Sequence, residues 1–195
     1  MNEIFKPCIR LMYMNLNEQF KGLPEPFVVL FIADPKEYVA QNLALLKDFV
    51  NVKKMNGIYI TVNRPYLSLL SLLSKEGIDT SHMFFIDLIT RTLNDMPERK
   101  SNRIFMGSAT NLTDLSLAIS QAVSANQKAK KFIYLDSLST MLIYNEAGSL
   151  SRFSHFLTSR LREWNVDGVF ISLDSASDRE LTDKLSQFCD KVVRA

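Results

Sequence analysis

Short apolar runs alternate along the chain with amphipathic stretches of helical periodicity, and this alternation restricts the possible folds more than any other feature. The runs predict strands at 27–33, 57–62, 82–87, 131–136, 168–173 and 190–194, with a further short strand at 103–107. The stretches between them predict helices at about 36–50, 65–75, 111–125, 147–164 and 177–188. Strands that are apolar throughout and separated by helices are typical of a mainly parallel sheet covered on both faces. We therefore predict a three-layer α/β fold.

Length and composition favour an ordinary globular chain. The chain has 195 residues, 47% of them apolar and 23% charged, which is about one domain with enough apolar surface for a core. We predict an α/β domain over residues 27–195 and, over residues 1–26, an N-terminal arm or helix packed on it. No apolar run is long enough to span a membrane, and residues 1–20 carry charges that a secretory signal lacks. We therefore expect a cytoplasmic protein with no membrane partner.

The first predicted strand passes into the first predicted helix through Asp34-Pro35-Lys36-Glu37. A phosphate-binding loop at this point would read G-x-x-x-x-G-K-[ST], because its glycines let backbone N–H groups surround phosphate. Here the chain has no glycine between Gly22 and Gly57. We predict instead that Asp34 is the N-cap of the helix, with proline at N1 and glutamate at N3. Two carboxylates at this helix start would also repel an anion.

From residue 27 to 194 the chain resembles the RecA-like ATPases, a superfamily of P-loop NTPase fold, and most closely their KaiC-like branch common in archaea. The run 132–140 (FIYLDSLST) is similar to the Walker B strand, in which the aspartate, here Asp136, helps to hold Mg²⁺ through water. The run 59–62 (YITV) is similar to the strand that ends in a catalytic Glu-Glu pair, but Asn63 and Arg64 stand at those positions. The resemblance implies that the five core strands of the family, numbered in chain order, lie in the sheet in the order 5-1-4-3-2. It also predicts a degenerate ATPase with a vestigial site near Asp34, Lys36, Asn63 and Asp136.

Four predicted strands end in aspartate: Asp34, Asp87, Asp136 and Asp174. If the implied sheet order places these strands side by side, their carboxylates gather at the edge where open α/β sheets bind ligands. Asp136, Asp34 and Asp87 are then candidate Mg²⁺ ligands. The alternative is that each aspartate caps the helix or turn that follows it. Zinc is not expected, since no histidine or cysteine adjoins the four positions.

Nucleic acid is not an expected partner. The net charge is only +2, and the polar segment 91–103 has no aromatic side chain to stack on bases. The histidine His155 is predicted on a helix surface, and the thiol of Cys189 is predicted to be reduced and structural.

Three functions are consistent with these observations. The first is a non-catalytic, regulatory domain that binds a protein partner or forms a homo-oligomer, as RecA-like relatives do. The second is a Mg²⁺-dependent phosphoryl-transfer or hydrolytic enzyme that uses the aspartates. The third is a protein that binds nucleotide weakly. For the first function no cofactor is expected.

Overall fold

The structure is a computed structural model that describes residues 18–90, 102–125, 130–175 and 178–194. The strands in this part of the chain are β1 (Val28–Ala33), β2 (Asn56–Thr61), β3 (Met83–Asp87), β4 (Arg103–Phe105), β5 (Lys131–Asp136), β6 (Asp167–Leu173) and β7 (Lys191–Arg194). The helices are α1 (Tyr38–Lys47), α2 (Tyr66–Lys75), α3 (Leu112–Ala125), α4 (Leu138–Tyr144), α5 (Ala147–Trp164) and α6 (Arg179–Leu185). One turn of π-helix, Asp48–Val52, continues α1.

All seven strands form one parallel sheet in the order β4-β3-β2-β5-β6-β1-β7. The three-layer α/β class is therefore confirmed. The five core strands in chain order are β1, β2, β5, β6 and β7, and they lie in the implied order, as β7-β1-β6-β5-β2. The strands β3 and β4 extend the sheet beyond β2. The ten-residue helix α2 is a short crossover, so β3 pairs with β2, the strand that precedes it in the chain.

The prediction that the four strands ending in aspartate lie side by side is wrong for one of them. The strands β1, β6 and β5 are consecutive, so the chain positions Asp34, Asp174 and Asp136 follow neighbouring strands. The strand β3, which ends in Asp87, is separated from β5 by β2. Asp87 therefore belongs to a different part of the same sheet edge.

Two apolar clusters separate the sheet from its helices. Alternate residues of each strand point to opposite faces, so Val28 and Leu30 lie in one cluster and Val29 and Phe31 in the other. The first cluster is completed by buried side chains of α3, α4, α5 and α6. The second is completed by α1, its π-helical turn and α2. Because both faces are covered, the central strands are apolar at nearly every position, and this is the pattern that identifies them in the sequence.

The helix α4 is absent from the sequence-based prediction. It is only seven residues long and begins immediately after β5, at the end of the Walker-B-like run. The hydroxyl of Ser137 caps it by accepting a hydrogen bond from the backbone N–H of Thr140. A helix of two turns is too brief to show a clear helical periodicity.

Several predictions fall on residues outside the described part of the chain. These are most of the N-terminal arm, at 1–17, most of the polar segment, at 91–101, and the predicted start of the last helix at Ser177. The described part of the arm packs on the domain, since the ring of Phe20 lies edge-on to Phe27 and Phe49 at 5.7 and 5.4 Å. None of the helices in the described ranges has the length and apolar character that crossing a bilayer requires.

Candidate functional site

The link between β1 and α1 forms a tight turn. The carboxylate of Asp34 accepts a hydrogen bond from the Lys36 N–H at 2.8 Å, and the Asp34 carbonyl accepts one from the Glu37 N–H at 3.1 Å. The N–H of Asp34 donates to the side chain of Gln41 at 3.2 Å. Pro35 has no N–H to offer. In this turn every available N–H group from 34 to 37 therefore has a partner inside the protein.

The prediction that Asp34 is the N-cap of the first helix is wrong. The cap position belongs to Glu37, whose side chain makes no capping hydrogen bond. Asp34 holds the turn that precedes the helix because a short acidic side chain readily bonds to a backbone N–H two residues on. The side chain of Lys36 is exposed. The two carboxylates of Asp34 and Glu37 thus flank the start of α1.

Asp136 lies at the end of β5 and is only 3% exposed. The phenol hydroxyls of Tyr38 on α1 and Tyr59 on β2 both donate to its carboxylate. The amide of Asn63 donates to the same group at 3.0 Å. Burial raises the pKa of Asp136 to about 8, because a charged form is costly away from water. The carboxyl that resembles a Walker B aspartate is thus enclosed by donors from three different segments.

Asn63 connects these groups to the following helix. Its side-chain nitrogen also donates to the Tyr38 hydroxyl at 2.6 Å, and its side-chain oxygen accepts from the hydroxyl of Thr140 on α4. Asn63 therefore joins α1, β5 and α4 at the position where the family resemblance has a catalytic glutamate. We call Tyr38, Tyr59, Asn63, Asp136 and Thr140 the Asp136 network.

The space beside Asp136 is small. It measures about 20 Å³, and its lining combines apolar residues of α1 and α2 with Tyr38, Tyr59 and Arg64. A cavity needs roughly 10–15 Å³ to hold one water molecule, so this one has room for about one.

Asp87 is completely buried at the end of β3. Its carboxylate accepts hydrogen bonds from the backbone N–H groups of Tyr66, Ile89 and Thr90 at 2.7, 2.7 and 2.9 Å, and from the Thr90 hydroxyl. It therefore anchors the start of α2 and the turn that follows β3. This is the structural role that the sequence left open as the alternative to metal binding.

The structure does not bring Asp34, Asp87 and Asp136 together. Asp174, the fourth aspartate, is an exposed partner of Arg194 at 3.7 Å. Within residues 18–90, 102–125, 130–175 and 178–194, no three histidine, cysteine, aspartate or glutamate side chains form a group that could hold a metal ion.

The four residues predicted for the vestigial site form two separate pairs. Asn63 and Asp136 share a hydrogen bond. Asp34 and Lys36 instead bond to each other within their own turn, and in the described ranges neither one is hydrogen-bonded to Asn63 or Asp136. The site predicted from the resemblance is therefore divided between the turn after β1 and the Asp136 network.

The sequence-based prediction does not include the two tyrosines of the Asp136 network. Helical spacing places Tyr38 on the apolar side of a helix, and Tyr59 falls in a buried strand. A phenol in a mostly aliphatic run is the available signal, because a buried hydroxyl requires a hydrogen-bond partner.

The histidine lies on a helix surface, as the sequence predicts, whereas Cys189 lies half-buried beyond the end of α6. His155 is exposed, and its ring lies 4.5 Å from that of Phe188. Burial raises the pKa of Cys189 to about 12, which keeps the thiol protonated. Neither side chain takes part in the Asp136 network.

Comparison with known proteins finds one family model and several solved structures of similar fold. The model of a family of unknown function, DUF7504, matches residues 56–195. No curated protein matches the chain. The KaiC-like protein PH0186 of the hyperthermophilic archaeon Pyrococcus horikoshii is similar over 89% of this chain and 72% of its own, with 14% identity and a TM-score of 0.65.

Two further solved structures have the same fold. The uncharacterised protein PH0321 of Pyrococcus horikoshii, solved in complex with an unknown peptide, covers 93% of this chain and 82% of its own, with 12% identity and a TM-score of 0.69. The third structure, an ATPase domain, covers 100% of this chain and 83% of its own, with 14% identity and a TM-score of 0.62. At these identities the likeness establishes the fold alone.

Proposed function

The chain belongs to the DUF7504 family of unknown function, and we propose that it is a regulatory RecA-like domain that acts by protein–protein contact or self-association without hydrolysing ATP. The observation that carries this proposal is the engagement of Asp136. A Walker B aspartate has to present a charged carboxylate toward water and Mg²⁺. In this chain the carboxyl is buried, faces two phenols and an amide, and has a raised pKa.

The turn after β1 supports the same proposal. A phosphate cradle needs several N–H groups that converge on one point. Here the N–H groups of residues 34, 36 and 37 bond within the turn or to Gln41. The nearby carboxylates of Asp34 and Glu37 disfavour an anion. The residues of this edge therefore do not fit Mg-ATP in the manner of the fold family.

The geometry gives less support to the two alternative functions. A Mg²⁺-dependent enzyme would need at least two carboxylates directed at one ion, whereas Asp87 accepts four hydrogen bonds and Asp136 accepts three. A weak nucleotide site would need room for a base and ribose beside Asp136, whereas about 20 Å³ is open there.

An exposed apolar pair supports contact with another protein. Ile143 and Tyr144, at the end of α4, are 75% and 53% exposed. Tyr144 borders a cleft of about 210 Å³ whose other walls include Val62, Leu88 and Ala109. Exposed side chains of this kind beside an apolar cleft are a common feature of protein-binding surfaces. The relative PH0321 was solved with a peptide bound, which supports looking for a peptide-like partner here.

Calorimetry with Mg-ATP tests the non-catalytic part of the proposal. We expect no binding in the low-micromolar range and no release of phosphate above that of a blank. The loss of a whole phosphate cradle removes several charge-assisted hydrogen bonds, each worth roughly 1.5–3 kcal/mol. Micromolar affinity, or ATP turnover that the Asp136→Asn variant abolishes, would refute it.

Light scattering over a range of protein concentrations tests the contact. We expect the full chain to self-associate, or to bind a partner protein, through Ile143 and Tyr144. The Ile143→Ser/Tyr144→Ser double variant should then lower the apparent mass. The matched control is Leu117→Ser on α3, where the side chain is 59% exposed and does not line the cleft. A chain that stays monomeric at high concentration and whose partner binding is unchanged in the double variant would contradict the proposed surface.

A further inference from the structure

A second cleft lies at the amino ends of the strands, where β2, β3 and β5 begin. It measures about 210 Å³, and its lining includes Asn56, His82, Asn102 and Lys131 together with Ala122 and Ala125 of α3. The proposed protein contact and the Asp136 network are both at the carboxyl ends of the strands. This cleft is therefore separate from everything assigned above.

The most unusual residue of the cleft is Lys131. It is the first residue of β5, it is only 9% exposed, and it forms part of the lining of the cleft. Among the described residues, no hydrogen bond or ion pair engages its ammonium group. Its neighbour in sequence, Lys130, is half-exposed and pairs with Glu25 at 2.6 Å. Lysines are rarely buried to this extent unless they are paired.

The other polar side chains of the cleft have unused hydrogen-bonding capacity. In the described part of the chain, the side chains of Asn56, His82 and Asn102 make no hydrogen bond. Their backbone groups are used in the sheet, since the Asn102 carbonyl accepts from Phe85 and the His82 carbonyl from Gly57. The cleft thus brings together one ammonium, one imidazole and two carboxamides that can still bind a ligand.

The side chains that line the cleft favour a negatively charged ligand. Lysine offers three N–H donors and no acceptor, and each carboxamide offers two more donors. Among the described residues, no carboxylate lines the cleft. Asp79, which interacts electrostatically with His82, lies outside the lining, where its carboxylate accepts from the Ser81 N–H at 2.9 Å. The chemistry of the lining is that of a site for a small anion.

We propose that this cleft binds a small oxyanion, phosphate or carboxylate, with Lys131 as its charged contact and Asn56, Asn102 and His82 as further hydrogen-bond donors. The volume of the cleft leaves room for a modest organic group attached to the anion. The bound anion would pair with the ammonium group, and this would explain why a lysine stands at such a buried position.

Titration of the full chain with sodium phosphate and, separately, with sodium acetate tests the proposal. Backbone and side-chain amide signals are followed by NMR at constant ionic strength, with chloride as the reference salt. We expect saturable shifts at Asn56, Asn102 and residues 82–84 with at least one of the two anions. Shifts that match those in chloride would overturn the proposal.

Two lysine variants separate the site from general attraction of anions. Lys131→Met keeps the aliphatic stem and removes the charge, and we expect it to weaken binding at least tenfold. Lys130→Met, which removes the adjacent exposed charge, should leave the affinity within twofold. Equal affinity in wild type and Lys131→Met, or an equal loss in both variants, would overturn the assignment. If Lys131→Met does not fold, Lys131→Arg and the position of the shifts in the wild-type chain decide the question.

Discussion

Substitution of Asp136 by asparagine should stabilise the protein near neutral pH, although it alters a residue with three hydrogen-bond partners. Asparagine has nearly the same shape. Its oxygen can replace Oδ1, which accepts from Tyr38 and Asn63, and its amide nitrogen can then donate to the Tyr59 hydroxyl in place of Oδ2. It does not ionise. In the wild-type protein the folded state keeps a proton on Asp136 up to a pKa of about 8, while the ordinary value is 3.8.

The sign and size of the effect follow from this difference. Below about pH 4 both states hold the proton, and the stability linked to Asp136 is fully present. As pH rises toward 8 the unfolded state ionises freely while the folded state does not, so this stability is lost. The difference between the two pKa values corresponds to roughly 5–6 kcal/mol, at about 1.4 kcal/mol for each pH unit. Between about pH 5 and pH 8 the wild type should therefore lose up to roughly 4 kcal/mol relative to the variant.

Urea unfolding of both proteins at pH 5, 6, 7 and 8 measures the difference. All other titrating groups are common to both proteins, so their contributions cancel in the comparison. The matched control is Asp174→Asn, because Asp174 also follows a strand but its side chain is 61% exposed; its difference from wild type should not change with pH. A difference between wild type and Asp136→Asn that is constant across the four pH values would refute the reasoning.

Three other substitutions follow from contacts in the described chain. Asp87→Ala should cost about 2–4 kcal/mol in urea unfolding, because four donors lose their acceptor at a buried site. Gly168→Ala should cost about 1–3 kcal/mol, because its Cβ would lie 2.7 Å from Leu161 Cδ1. The control Gly107→Ala, whose Cβ would have nothing within 4 Å, should be nearly neutral. Equal unfolding midpoints for the two variants would contradict this. Lys131→Met should leave the midpoint in chloride buffer unchanged or higher, because it removes a charge without a partner among the described residues, and a clearly lowered midpoint would show that the charge is compensated.

The strands were predictable because each carries its own signal. A central parallel strand such as β1 is buried on both faces, so a continuous apolar run between polar links is enough to identify it. The order of the strands was less accessible, since it depends on which crossovers pack together rather than on any one run. The core order came from the family resemblance, and it did not show that β3 extends the sheet beyond β2.

The candidate site was predictable in its residues and less so in its contacts. Asp136 and Asn63 were identified through the family resemblance, and they do meet. The sequence could not show that Tyr38 reaches across from α1, because that contact joins residues 98 positions apart. Nor could it show that the start of α1 is a turn, because Asp-Pro-Lys-Glu satisfies the rules for a helix cap and for a turn equally well.

The position of β1 has a consequence for the order in which the chain can assemble. β1 pairs only with β6 and β7 in the described sheet, through contacts such as Val28 with Gly168 and Val29 with Lys191. During synthesis this strand is made before either of its partners and stays unpaired, apolar on both faces, until residues 167–194 have emerged. Such distant pairing is slow and leaves aggregation-prone intermediates. The segment matched by the family model, 56–195, lacks this strand, so by itself it would leave β6 and β7 with a gap between them where β1 belongs.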